Sequence, residues 1–239
     1  MLSIARTAAS QGLVQNPAAW VFTFVLVVVF PITDYLLYFR LKSTLGLYVW
    51  NLLAEWSLVA GCIWVLRSNG LGLADIGEGL RSPLRALVST GSLFIVVAVL
   101  VIVSKRRPKR TSAEQMSKAA SQVRRLLPVT RTERRVWIGV AFTAGMCEEF
   151  LYRGWLLTLI GTALGSVWAG LIISSIVFGV AHAYQGRRGM IGASVLGVVF
   201  GAVFILSNTL FLGQILHAAI DLNNGLALGK AVAPEGKGA

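Results

Sequence analysis

The sequence predicts an all-α polytopic membrane bundle of about seven spanning helices, or eight if the last two segments form a re-entrant or broken pair. Three observations predict it. Hydrophobic residues make up 56% of the 239 positions and charged residues only 13%, with a mean hydropathy of +0.72, whereas a soluble domain carries about 25% charged residues. Seven stretches, Trp20 to Phe39, Leu45 to Leu66, Leu84 to Val103, Val136 to Ile160, Val167 to Tyr184, Met190 to Leu206 and Leu210 to Leu228, meet or approach the roughly 20 apolar residues that a hydrocarbon core demands. The basic residues then fall on alternate sides. For seven spans, one side holds Arg40, Lys42, the eleven Lys and Arg from Lys105 to Arg135, Arg187, Arg188, Lys230 and Lys237, while the other holds Arg6, Arg67, Arg81 and Arg85. Lys and Arg accumulate in cytoplasmic loops, so the C-terminus is expected inside the cell, below its inner or plasma membrane. The same distribution accounts for the net charge of +12 without nucleic acid, since the basic residues lie in gaps between apolar runs rather than in an aromatic-interleaved patch.

Each element has its own signal. The first apolar run starts only at Trp20 and lacks a small-residue cleavage pattern, so it reads as a retained span rather than a removable leader. Leu71 to Arg81 is Gly-rich with Asp75 and Glu78 and reads as a loop before the third span. In the polar gap from Ser104 to Arg135, Met116, Ala119, Ala120, Val123, Leu126 and Leu127 recur at helical spacing against Lys118, Arg124 and Arg125. That pattern predicts an amphipathic helix on the anionic leaflet, stopped by Pro128, with a solvated linker as the alternative. The chain thus divides into a three-span region with a basic linker (1–135), a helical core (136–229) and a flexible tail (230–239).

Smaller signals concern packing. Gly161 with Gly165, and Gly197 with Gly201, have the spacing that lets helices approach closely, read here as intramolecular packing in a monomer. Trp20, Trp50, Trp137 and Trp168 fall near span ends and suit interfacial belts. Cys62 and Cys147 have no metal or disulfide spacing and read as core residues. Asp34 and Glu55 lie inside the first two spans and read as solvated near an interface, the alternative being a gating or substrate-contact role.

The informative residues are ionisable groups placed where a lipid-spanning helix should have none. Glu148 and Glu149 lie in the run Met146 to Arg153, and the chain's two histidines, His182 and His217, are also in apolar runs. A charge at membrane depth costs roughly 2.5–3.5 kcal/mol on insertion scales, so such a cluster marks function. On an α-helix Glu149 and Arg153 share a face and can pair, leaving Glu148 free to point into a cavity. The same spacing of four aligns Phe178 with His182 and His217 with Asp221. A neighbouring acid and imidazole can activate water while a donor from another helix stabilises an oxyanion, the division of labour that acyl-bond hydrolysis needs.

These three motifs, Glu-Glu-x-x-x-Arg at 148–153, Phe-x-x-x-His at 178–182 and His-x-x-x-Asp at 217–221, resemble those of the CPBP or Abi intramembrane proteases, a family that includes the type II CAAX prenyl endopeptidases. The resemblance implies that the core 136–229 is catalytic and that the chain is a glutamate-dependent endopeptidase acting on membrane-associated, including prenylated, substrates. In it Glu148 and His182 would activate water, and His217 with Asp221 would stabilise the oxyanion. Glu149 and Arg153 would form a supporting ion pair, and Phe178 would pack the second motif. The prenyl-protein proteases resemble one another in having Asn at the last motif position. Asp221 therefore either carries a proton in its apolar setting or, the reading preferred here, accepts from the His217 ring and fixes its tautomer. No cofactor is implied. Two Glu and two His could instead hold zinc, although no His-Glu-x-x-His is present. A proton-coupled transporter using Glu148, Glu149 and His182 as a relay, and a catalytically silent scaffold or immunity protein, are the readings from other classes.

Overall fold

Asn16 and Pro17 separate two helices at the start of the chain. In the computed structural model, which describes residues 8–77, 91, 121 and 123–232, every regular element among the described residues is helical. Helix α1 (Ala8–Gln15) stops at Asn16, whose side-chain oxygen accepts from the Ala18 N–H at 2.8 Å. Pro17 opens α2 (Pro17–Arg40) at a position where its missing N–H costs nothing. The middle of α2 widens into a π-helical stretch, Val25–Val29, just before Pro31, where the ring removes a helical hydrogen bond and crowds the preceding turn. Helix α3 (Thr44–Ser68) is capped by Ser43, which accepts from Gly46 N–H at 3.2 Å.

The long helix α4 spans 131–163. It begins with a reciprocal cap, Thr130 Oγ1 accepting from Glu133 N–H at 3.2 Å and Glu133 accepting from Thr130 N–H at 2.7 Å. Helix α5 (Val167–Ala181) follows a turn, α6 (Gly186–Ser207) ends at Asn208 in the left-handed region (φ 57°), and α7 (Phe211–Val232) begins three residues later. The last two spans are thus separate helices joined by a tight turn. The loop before the third predicted span contains a short 3₁₀ turn, Leu73–Ile76, and the Gly77 carbonyl accepts from Leu210 N–H at 3.0 Å. That third span, Leu84 to Val103, most of the amphipathic linker and the tail from 233 lie outside the described residues.

By length and composition, α2, α3 and the Ala183–Ser207 helix are long and apolar enough to cross a membrane, with α5 apolar but shorter. Helices α4 and α7 are as long, and they carry the ionisable side chains that lower their apolarity. Large apolar side chains such as Val21, Phe24, Leu53, Trp64, Ile191 and Leu206 are exposed on the outside of the bundle, as a lipid-facing surface requires. The interior is built around α4, which packs against α3, α5 and α7, with α6 against α5. Trp155 is fully buried, and its indole N–H donates to Thr23 of α2 at 3.0 Å.

Small residues set how closely these helices approach. A Cβ on Gly145 would lie 2.6 Å from the Ala218 nitrogen and 2.7 Å from the Gln214 carbonyl oxygen, both backbone atoms of α7. Gly145→Ala must therefore push α7 off α4. The expected cost is about 1–3 kcal/mol, measurable as a lower unfolding midpoint in detergent. Of the four glycines expected to serve packing, Gly161, Gly197 and Gly201 do face neighbouring atoms. Gly165 does not: it has no atom within 4 Å of a would-be Cβ, and its φ of 63° makes it the turn between α4 and α5.

One end of the bundle gathers the α2–α3 connection, the start of α4 and the end of α7. Arg125 donates to the carbonyls of Tyr38 and Phe39 at 3.0 and 2.8 Å, and Tyr48 donates to the Leu126 carbonyl at 2.8 Å. Residues 124–126 form a short 3₁₀ turn here rather than a continuation of an amphipathic helix. The basic residues Arg40, Lys42, Arg124, Arg125 and Lys230 collect at this end.

Candidate active site

At Glu149 the regular α-helical ladder of α4 gives way to a π-helical segment, Glu149–Leu157, all nine of whose residues are buried. Wide turns of this kind are frequent at functional sites. The segment starts one residue after Glu148, so the two adjacent carboxylates leave the helix in different directions and reach different partners.

Glu149 faces the protein. Its Oε1 lies 3.1 Å from Arg153 Nη1 and accepts from His217 Nδ1 at 2.9 Å, with all three side chains nearly inaccessible. The Arg153 guanidinium sits 4.2 Å from the centre of the Phe178 ring and 5.5 Å from that of Phe200, so aromatic faces supply the rest of its stabilisation. Phe200 in turn stacks on His217, with ring centres 5.1 Å apart and planes at 21°. The pairing of Glu149 with Arg153 and the packing of Phe178 are as the motif spacing suggested. His217 also meets its motif partner, Asp221 Oδ2 standing 3.5 Å from Nε2, and in addition a carboxylate that the spacing did not indicate, Glu149, whose Oε1 lies 2.9 Å from Nδ1. Because an ion-paired carboxylate can only accept, Nδ1 carries a proton, and the two carboxylates hold the ring from either side.

Glu148 faces a cavity of about 220 Å³, which His182, Asp221, Glu55, Asn51 and Trp137 also line. Its Oε2 lies 3.7 Å from His217 Nε2 and has no hydrogen-bond partner among the described residues. His182, just past the end of α5, donates from Nδ1 to the Phe178 carbonyl at 2.8 Å, since a carbonyl can only accept. That bond engages Nδ1 and leaves Nε2 as the ring nitrogen not bonded to Phe178. The structure therefore brings Glu148, His182, His217 and Asp221 to one place from three helices, with Glu149, Arg153 and Phe178 behind them.

Glu148 lies 17 residues from Arg131, roughly 25 Å along α4. The cavity runs from that depth to the basic end, where Val123, Leu126, Leu127, Tyr184, Gln185 and Leu228 line it. Among the described residues no three His, Cys, Asp or Glu side chains are arranged to hold a metal ion.

Two residues have more to do than their positions in the sequence implied. Glu55 is not solvated: it is 3% exposed and lines the cavity from α3. The sequence carries the signal, a lone carboxylate in an apolar run, which fits a membrane interface as well as a cavity. Trp137 is not merely a belt residue, since it lines the cavity, donates to the Asp221 carbonyl at 3.2 Å and fills the space that Gly225 leaves. Asp34 is half-buried and accepts from the Trp50 indole at 3.2 Å.

No curated protein and no solved structure matches the chain at a significant level. The family model described as type II CAAX prenyl endopeptidase Rce1-like matches residues 131–223, the stretch from the start of α4 into α7 that holds all three motifs. Over this stretch the chain is therefore similar to the Rce1-like domain of CAAX-type membrane proteases, and its long apolar helices are those of an integral membrane protein.

Proposed function

We propose that the chain is a glutamate-dependent intramembrane endopeptidase. The observation that carries this reading is that Glu148 and His182 line one cavity, the carboxylate with an oxygen that has no hydrogen-bond partner among the described residues and the imidazole held through Nδ1 by the Phe178 carbonyl. A water held between them loses a proton to the pair as its oxygen attacks the scissile carbonyl. His217 meets carboxylate oxygens at both ring nitrogens, an arrangement that suits a ring with a proton on each, and its Nε2 N–H is then the donor to the oxyanion that forms. Asp221 holds that side of the ring in place. Solvent exclusion by the surrounding helices strengthens each of these interactions.

The substrates that fit are membrane-associated peptides of the CAAX type, with the lipidated residue in the bilayer and the peptide entering from the basic end. We assign that end to the cytoplasmic side of the inner or plasma membrane, which places the C-terminus inside. The protein acts as a monomer without a metal.

Farnesylated and unmodified peptide libraries incubated with the purified protein in detergent, and read by mass spectrometry with and without chelator, test substrate class and metal dependence together. Cleavage confined to the farnesylated set and insensitive to chelator is expected. Cleavage abolished by chelator would require a metal-bound nucleophile instead, and no cleavage of either library would contradict the protease reading.

A further inference from the structure

The matched stretch 131–223 leaves α3 outside, yet α3 contributes an ionisable side chain to the cavity. Glu55 is 3% exposed, and its Oε2 has no hydrogen-bond partner among the described residues. The titratable groups that face it are Glu148 from α4, His217 and Asp221 from α7, and Asp34 from α2. Among the described residues no Lys or Arg lines the cavity, and Arg153 is committed to Glu149 behind it.

Glu55, Glu148 and Asp221 thus line one small cavity in which, among the described residues, the cation-forming side chain is the imidazole of His182. Carboxylates that share a site cannot all stay ionised, and a shared proton separates them into an acid and a base. Solvent decides which group does which. The Asp221 side chain is 34% exposed and that of Glu148 17%, so Glu55, at 3%, is the least hydrated of the three and the best placed to hold a shared proton. A neutral carboxyl is a donor.

We propose that Glu55 is the catalytic acid that protonates the amine leaving the scissile bond, Glu148 being the base. The assignment deepens the endopeptidase reading and rests on it. Water adds its oxygen to the carbonyl carbon and gives a proton to the Glu148 and His182 pair. As the C–N bond of the tetrahedral intermediate breaks, its electron pair goes to nitrogen, which takes the Glu55 proton. The products are a carboxylic acid and an amine, and transfer of the proton from the Glu148 side back to Glu55 through cavity water restores the starting state.

The step makes a distinction that packing would not. An amine leaves poorly unless protonated, whereas a thiolate needs no proton. The probes are a farnesyl-cysteine peptide with a three-residue C-terminal tail and the same peptide with a thioester at the scissile position. Glu55→Gln is expected to slow amide cleavage about 100-fold and thioester cleavage far less, with an unchanged unfolding midpoint. Glu55→Asp, which keeps the acid, should recover much of the amide rate. Equal losses on both probes, or no loss on the amide, would overturn the assignment while leaving the endopeptidase reading intact. A wild-type protein that cuts neither probe would overturn that reading and this assignment with it.

Discussion

Glu148→Gln is expected to reduce peptide cleavage about 10³-fold or more while leaving the protein folded. The substitution keeps the size and shape of the side chain and removes the negative charge and the ability to take a proton from water, a loss that lies within the 10²–10⁴ range of positioned acid–base groups. Little structure depends on the group. Its Oε2 has no hydrogen-bond partner among the described residues, and the side chain borders the cavity rather than the packed interior. The unfolding midpoint should therefore stay close to that of the wild type. His182→Ala should produce a comparable loss for the same reason, since its Nε2 faces the same space. On the proposed mechanism the two groups act on one water, so the double variant should be scarcely worse than the poorer single variant, as residues working as a unit are far from additive. Rates measured in detergent, beside melting curves, decide the matter. Turnover within about tenfold of wild type in a folded Glu148→Gln protein would remove the central element of the mechanism.

How much of this was legible in the chain depends on what kind of periodicity carried it. The membrane bundle follows from long apolar runs, which are local and cumulative, and the spans predicted from Trp20 and Leu45 agree closely with α2 and α3. The motif pairs were legible because spacings of four place residues on one helix face, and Glu149 with Arg153 shows this directly. His217 with Asp221 shows it again, but the second carboxylate on His217, Glu149, was not legible, because it comes from another helix and depends on the close approach that Gly145 permits. Phe200, which stacks on His217, lies on a third helix with nothing nearby in sequence to mark it. The π-helical segment at 149–157 also escapes a reading based on 3.6 residues per turn, since its cause is tertiary. Glu55 is a different case. Its position in an apolar run was evident, but whether such a carboxylate meets lipid headgroups or a cavity depends on the helix it faces.

Removing Arg153 is expected to have the largest effect on stability. Arg153→Met leaves the Glu149 carboxylate buried without its cation, and breaking a buried pair in this way costs about 3–5 kcal/mol. Glu149→Leu should cost a similar amount by stranding the guanidinium between Phe178 and Phe200. Replacing both residues removes both buried charges, and apolar side chains of similar volume are often neutral or stabilising in place of such a pair. The double variant Glu149→Leu/Arg153→Met should thus regain most of the midpoint that either single change loses. It should not regain activity. His217 would then have no acceptor for its Nδ1 N–H, which donates to Glu149 at 2.9 Å in the native protein, and a ring without its orienting carboxylate no longer holds one direction. A loss of about 10²-fold or more is expected from that cause, by analogy with the carboxylate behind the histidine of serine-protease triads. Unfolding curves and turnover on the four proteins of the cycle separate the two effects. Full activity in the stable double variant would mean that Glu149 does not orient His217, and a double variant as unstable as the singles would mean that more than the ion pair holds α4 to its neighbours at this point.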